Sequence, residues 1–298
     1  MKAFVTGGSG FVAGWLMRHL RESGDEVDSV DESIDIADGP AIRERVTAAA
    51  PDAIYHLAAF THVGRSWEEP EEVFRVNAVG TLQILRAAQA CDPVPRVLLV
   101  GSAEVYGIVK PDQLPLREDS PLLPVTPYAA SKVAAEYLGV QAHLGYGTPV
   151  IRVRAFNHIG PGQHPSFVVP ALVERIREAR AGGDRRIPVG NLSPRRDFTD
   201  VRDVVRAYRL LVERGAAGEA YNVCSGRDVS IASVAGRLVD LAGGDIELVP
   251  DPELERPVDI PVLLGDRTKI GAASGWEPEI DLDRTLRDVL GAAGVAGA

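Results

Sequence analysis

Positive charge is in short supply in this chain. Lys and Arg number 32 against 42 Asp and Glu, which leaves 298 residues with a formal net charge of −10 and a pI of about 5.2. A basic face for the phosphate backbone of nucleic acid is therefore not expected. Any anionic ligand must be held by local groups rather than by the field of the whole molecule. Cysteine is nearly absent. Cys91 and Cys224 stand far apart with no metal-ligand spacing and read as two reduced thiols. No apolar run reaches the ~18 residues a membrane-spanning helix needs. Met1-Lys2 leads straight into an apolar strand without a signal-peptide pattern, so a cytoplasmic protein with no membrane partner is expected. Repeats and low-complexity segments are missing too. Apolar residues make up 45% of the chain, enough for a packed core.

The first half alternates short β-rich runs with helical stretches, which predicts a doubly wound α/β fold with a parallel sheet. Strands are expected at Lys2–Thr6, Glu26–Val30, Ala53–Leu57, Arg96–Ser102 and Val150–Phe156. Helices are expected at Gly10–Ser23, Ala41–Ala50 and Glu71–Cys91, and around Tyr128 after a Pro-rich loop from Pro111 to Pro127. The apolar run Val97-Leu98-Leu99-Val100 suits a centre strand buried on both faces. After Asn157 the character changes. His158–Pro165 is rich in Gly, Pro and His, and Phe167–Ala181 reads as an amphipathic helix stopped by Gly182-Gly183. Residues 1–156 and 197–226 are assigned to a Rossmann-type nucleotide-binding domain. Residues 157–196 and 227–298 are assigned to a smaller mixed α/β lobe, with helices at Val201–Arg214 (in the first), Ser230–Gly243 and Leu282–Leu290 and a frayed tail from Gly291.

The loop Val5-Thr6-Gly7-Gly8-Ser9-Gly10-Phe11-Val12-Ala13-Gly14 lies between a strand and a helix. Gly7 makes the tight turn, Gly10 lets the backbone approach a pyrophosphate, and Ala13 is small enough for helix–strand packing. The pyrophosphate would sit on the positive end of the helix. Asp31 follows the second strand. A carboxylate there accepts hydrogen bonds from both ribose hydroxyls and repels a 2′-phosphate, and no arginine follows closely, so NAD is favoured over NADP. Asp35 and Ile36 are expected at the adenine, and Leu57, Ala58 and Ala59 along the middle of the cofactor.

Pro127-Tyr128-Ala129-Ala130-Ser131-Lys132 carries the chemistry. Tyrosine and lysine four apart share a helix face. An ammonium beside the phenol is expected to favour the phenolate and lower a reference pKa near ~10. Such a phenol trades a proton with a sugar hydroxyl while hydride moves to or from its carbon.

Together with His56-Leu57-Ala58-Ala59, Asn77-Ala78-Val79-Gly80-Thr81 and Gly101-Ser102-Ala103-Glu104-Val105-Tyr106-Gly107, these residues resemble the extended short-chain dehydrogenase/reductase superfamily, in its nucleotide-sugar epimerase/dehydratase branch. The finer resemblance is to enzymes of GDP-sugar metabolism. Phe156–Gln163, Val189–Leu192, Arg196–Asp203 and Tyr221–Gly226 are similar to segments of the GDP-4-keto-6-deoxy-D-mannose reductases. The GDP-mannose 4,6-dehydratases tend to carry Trp-Gly where this chain has Phe198-Thr199. The resemblance implies a catalytic set of Ser102, Tyr128 and Lys132, with Asn77 at the cofactor. It also implies substrate contacts at Asn157, Val169, Asn191, Arg196 and Arg256, and a homodimer. Glu104 matches the dehydratase base, but similar reductases also carry glutamate there. A 4-keto reductase acting on a GDP-linked sugar is the leading expectation, and a 4,6-dehydratase or 4-epimerase with retained NAD is the alternative. A non-catalytic dinucleotide sensor is disfavoured by the intact Ser/Tyr/Lys set. His62 and His158 are expected as polar cleft walls, and no metal is required.

Overall fold

Successive residues of β1 (Lys2–Thr6) face opposite ways, and both faces are buried. Ala3 and Val5 enter one core while Phe4 enters another. The same alternation holds in β3 (Ala53–His56), where Ala53 and Tyr55 oppose Ile54. In β4 (Arg96–Val100), Leu98 opposes Val97 and Leu99. Strands buried on both faces belong at the centre of a parallel sheet with helices on each side. The computed structural model, which describes residues 1–183, 185–254 and 260–295, contains that sheet. β2 (Glu26–Val30), β1, β3, β4, β5 (Val150–Ala155) and β9 (Ala220–Val223) pair in that order, all parallel. Helices α1 (Phe11–Glu22) and α7 (Val201–Arg214) cover one face. Helices α2 (Gly39–Ala49), α4 (Gly80–Gln89) and α5 (Pro127–Tyr146) cover the other. This is the Rossmann-type α/β arrangement that the alternating pattern predicts.

β2 lies on one side of β1 and β3 on the other, so the winding reverses there. Ligands bind outside the carboxyl ends of the strands at such a reversal. The glycine loop after β1 and Leu57–Ala59 after β3 occupy that place.

A second group of elements packs around its own core, which includes Val173, Ile176, Phe198, Leu238 and Leu286. Its sheet joins β6 (Asn157–Ile159), β8 (Arg195–Asp200), β10 (Asp228–Ser230) and β12 (Val262–Leu263), with β7 (Arg186–Val189) paired to β11 (Glu247–Pro250) beside it. Helices α6 (Val168–Gly182), α8 (Ile231–Leu241) and α10 (Leu282–Ala292) supply the apolar faces.

Four expectations need correction. The helix expected over Glu71–Cys91 is interrupted: α3 (Pro70–Phe74) passes through one π-helical stretch, Arg75–Val79, before α4. Gly80 permits the close packing there, since a Cβ would stand 2.7 Å from Ile36. Next, residues 197–200 belong to β8 in the small sheet, because their backbone pairs with β6 and β10 rather than with β5. The segment after β12 also departs from the small lobe. Helix α9 (Thr268–Ser274) and Trp276 return to the large sheet, where Ile270 and Trp276 share a core with Leu16 and Tyr208, and the indole N–H donates to the Asp203 carbonyl at 2.9 Å. Finally, residues 291–295 are held, since α10 continues to Ala292 and Val295 is buried.

Candidate active site

A cleft of about 1510 Å³ opens at the carboxyl ends of β1, β3 and β4 and is closed on its far side by the small sheet. Gly7 adopts φ +73°, and a Cβ added there would stand 3.0 Å from the Ala58 backbone. A Cβ at Gly10 would stand 3.0 Å from the Gly7 carbonyl. A side chain at either position would crowd the neighbouring backbone, so the loop keeps bare backbone at the start of α1, as a dinucleotide pyrophosphate requires. Ala13 is buried against the sheet. Phe11 and Val12 line the cleft, and the Phe11 ring stacks on His158 with centroids 6.5 Å apart.

The cleft floor is built by α5. Thr126 caps that helix, its Oγ1 accepting from the Ala129 N–H at 3.0 Å, and Pro127 occupies the first turn. The start of the helix, and so the place of Tyr128, is therefore set locally. Ser102 acts on the Tyr128 hydroxyl and lowers its pKa, and the Ser102 Oγ accepts from the Glu104 N–H at 3.2 Å. Ser102, Glu104 and Tyr128 all line the cleft. Lys132 stands behind its wall, with Nζ donating to the Val100 carbonyl at 3.0 Å and 6.0 Å from the Tyr128 ring centre.

The electrostatics differ from the expectation that the phenol pKa is lowered. Burial pushes Tyr128 up to about 12; the Ser102 hydrogen bond pulls it down and the Glu104 charge adds to the rise. Burial also pushes Lys132 down, to about 8. Both groups have left water, and each favours its neutral form. As pH rises, the ammonium titrates well before the phenol. For a reaction that needs protonated Tyr128 and charged Lys132, the alkaline limb of kcat/KM is expected near pH 8, as the Lys132 value of about 8 sets it. A pH–rate profile checks this, and a limb at or beyond ~10 would remove Lys132 from that role.

Asn77, expected at the cofactor, is buried and does not form the cleft wall. Its Oδ1 accepts from the Phe60 N–H at 2.8 Å, and its Nδ2 donates to the Phe60 carbonyl at 3.1 Å and to Ser131 Oγ at 2.8 Å. Ser131 in turn donates to the Tyr128 carbonyl at 2.7 Å, so Asn77 ties the loop after β3 to the Tyr128 helix. The π-helical turn that carries Asn77 is a recurrent device at functional sites. His56, Thr6 and Thr81 form a neighbouring buried chain, with Thr6 Oγ1 accepting from the Leu57 and Ala58 N–H groups. Burial holds the His56 pKa far down, so the ring is neutral.

At the other end, Asp31 and Ile36 line the cleft with Leu57, Ala58 and Ala59. Ser33 holds the Asp31 carboxyl below the usual range, first through its side chain and then through its N–H, which donates to Asp31 Oδ1 at 3.0 Å. Asp35 is paired with Arg75, a guanidinium 40 residues further on that the sequence reading did not single out. On the small-sheet side, Asn157, Val169, Asn191 and Arg196 line the cleft. The Arg196 Nη1 donates to the Ile260 carbonyl at 2.7 Å, and Asn191 Oδ1 accepts from Ser193 in a turn. Arg256 lies outside the described residues. His62 and His158 are both cleft walls; His62 Nδ1 accepts from the Arg65 N–H, and burial lowers the His158 pKa.

The site can therefore present a neutral phenol and a hydroxyl to one oxygen atom beside a dinucleotide cradle. A family model described as GDP-mannose 4,6 dehydratase matches residues 29–289. The chain belongs to that family. It is 36% identical to GDP-6-deoxy-D-mannose reductase of Pseudomonas aeruginosa over 292 residues, 97% of this chain and 96% of that protein. It is 27% identical to GDP-mannose 4,6-dehydratase of Yersinia enterocolitica over 287 residues, 86% of this chain and 76% of that one. Among solved structures, RMD from Pseudomonas aeruginosa complexed with NADPH matches with a TM-score of 0.89 at 35% identity, covering 98% of both chains. The UDP-glucose 4-epimerase of Thermus thermophilus in complex with NAD matches with a TM-score of 0.87 at 27% identity, again covering 98% of both. Relatives of this GDP-mannose 4,6 dehydratase family member thus include reductases, dehydratases and epimerases of nucleotide sugars, and the two solved ones hold NADPH and NAD.

Proposed function

We propose that this protein reduces the C4 ketone of a GDP-linked 4-keto-6-deoxy-hexose. A nicotinamide dinucleotide in the glycine-loop cradle supplies the hydride when bound. Tyr128 gives its proton to the C4 oxygen as that oxygen becomes an alkoxide, and Ser102 donates a hydrogen bond to the same oxygen. Lys132 keeps a positive charge behind the phenol. The observation that carries this reading is the placing of Tyr128 and Ser102 together on the cleft wall beside the glycine loop, with burial favouring the protonated phenol. A group held in its protonated form suits a proton donor to a forming alkoxide, the direction of reduction.

The two groups of elements divide the work in this reading. The large sheet, from residues 1–156 and the segment around β9, holds the dinucleotide. The small one, with Asn157, Val169, Asn191, Arg196 and Arg256, holds the nucleotide sugar, where guanidinium forks suit a diphosphate on an acidic protein. Asp31 favours NAD(H) over NADP(H), since its carboxylate repels a 2′-phosphate. A homodimer formed through the helices around α3, α4 and α5 is supported by the apolar side chains left exposed on α3, on the π-helical stretch after it and on α5: Phe74, Val79, Tyr137 and Leu144.

A second reading has one observation in its favour. Glu104 lines the same cleft, and its charge acts on Tyr128. A carboxylate there suits a 4,6-dehydratase, which would remove the proton next to the C4 ketone. Incubation with GDP-mannose and no added cofactor, followed by mass spectrometry, separates the two. The reductase reading expects no loss of water from GDP-mannose, and NADH consumption with the GDP-linked 4-keto-6-deoxy sugar. Loss of one water from GDP-mannose would overturn it and make Glu104 the base.

A further inference from the structure

Arg75 reaches the cleft from the π-helical turn and is held there by two carboxylates. Its Nη1 donates to Asp35 Oδ2 at 2.6 Å, and its Nε and Nη2 donate to Glu72 Oε2 and Oε1 at 2.6 and 2.7 Å. Three of its five N–H donors are used in this way, and the flat Nε/Nη2 edge that would grip a phosphate is engaged by Glu72. Asp31, Glu32, Asp35, Glu72 and Arg75 all line the same end of the cleft. Asp31 and Asp35 are four residues apart, a span of at most ~14 Å if extended. The turn is tighter than that, because the Ile34 N–H donates to the Asp31 carbonyl. Arg75, paired with Asp35, therefore lies at the same end of the cleft as Asp31, the residue expected to meet the adenosine ribose. The Asp35, Glu72 and Arg75 side chains are each nearly half exposed, and ion pairs of that kind add little to stability. What they do set is the charge presented at this end of the cleft: four carboxylates against one guanidinium.

We propose that the Asp35–Arg75–Glu72 cluster is a latch that selects the cofactor by keeping Arg75 from a 2′-phosphate. The inference rests on the reading that a nicotinamide dinucleotide lies across the glycine loop with its adenosine ribose at Asp31. A 2′-phosphate entering here would meet Asp31 and Glu32, and it would have to compete with Glu72 for the guanidinium. With Glu72 neutral, the Nε/Nη2 edge of Arg75 becomes available and one opposing charge is lost. Pairing of Asp35 with Nη1 leaves that edge untouched, so Glu72 is the side chain that decides the outcome.

The test uses the purified full chain and two probes, ADP-ribose and 2′-phospho-ADP-ribose, with affinities measured by calorimetry. The wild-type protein is expected to favour ADP-ribose. Glu72→Gln is expected to bind 2′-phospho-ADP-ribose about 10-fold more tightly than wild type, the scale of a new charge-assisted pair. ADP-ribose affinity should change far less. The double variant Glu72→Gln/Arg75→Gln is expected to lose the gain. A wild-type preference for the phosphorylated probe would overturn the assignment of Asp31 on which the inference rests. A wild-type preference for ADP-ribose with no gain in Glu72→Gln would overturn the latch alone. A gain that persists without Arg75 would also overturn it, since removal of one negative charge would then suffice.

Discussion

Tyr128→Phe is expected to lower kcat for ketone reduction by roughly 100- to 10,000-fold, the range that a positioned proton donor contributes. The change removes one oxygen and keeps the ring. The ring is buried, so the packing of α5 is retained, and the lost Ser102 hydrogen bond costs only about 1 kcal/mol. Dinucleotide affinity and the melting temperature should therefore stay close to those of the wild type while turnover collapses. Steady-state kinetics on the GDP-linked keto sugar, with calorimetry for the dinucleotide, checks this. A loss under ~10-fold would mean that another group or water protonates the alkoxide, and the acid assigned from the Ser102–Tyr128 geometry would be wrong.

Arg154→Met is expected to destabilise the fold by about 3–5 kcal/mol, because it strips one partner from a buried ion pair. Arg154 and Glu136 are each about 4% exposed. The guanidinium grips Glu136 at both oxygens, Nε to Oε2 at 3.0 Å and Nη2 to Oε1 at 2.7 Å. Its Nη1 donates to the Tyr106 hydroxyl and the Glu118 carbonyl, both at 2.9 Å, and Tyr106 donates onward to Asn222 at 2.7 Å. Glu136 lies one turn beyond Lys132 on α5, and Tyr106 lies two residues beyond Glu104. The cluster thus joins the helix that carries Tyr128 to the segment that carries Ser102. In the single variant the Glu136 carboxylate stays buried with only Arg152 against it. Adding Glu136→Leu removes that stranded charge, and Arg152 keeps its bond to the Gly218 carbonyl. The double variant is expected to recover part of the loss in urea unfolding, since it removes the buried Glu136 charge but also takes the carboxylate from Arg152, which is less deeply buried. Equal destabilisation of the single and double variants would show that charge burial is not what the pair resolves.

Much of the site was legible from residues close together in the sequence. The order strand, glycine loop, helix at Lys2–Glu22 predicts its own geometry, because glycine at position 7 accepts positive φ and a bare backbone at position 10 leaves room for a ligand. Thr126-Pro127 announces the start of α5 and so places Tyr128, and Val97-Leu98-Leu99 announces a centre strand. The short strands of the small sheet were not legible. They run two to six residues and pair with partners far away in the chain, so no local period marks them.

What the sequence by itself determined is the doubly wound sheet, the dinucleotide cradle and the pairing of Tyr128 with Lys132 on one helix face, while Ser102 and Glu104 came from the family resemblance. The first three follow from periodicity and turn residues, which act over a few neighbouring positions. Only the tertiary structure decided that Tyr128 is raised rather than lowered, that Asn77 braces α5 from behind the cleft wall, and that Arg75 is latched at the Asp35 end. It alone also returned Trp276 to the large sheet. A pKa depends on how much water the whole fold removes from a group, and an ion pair depends on which distant segments the topology brings together. Neither quantity is a property of neighbours along the chain.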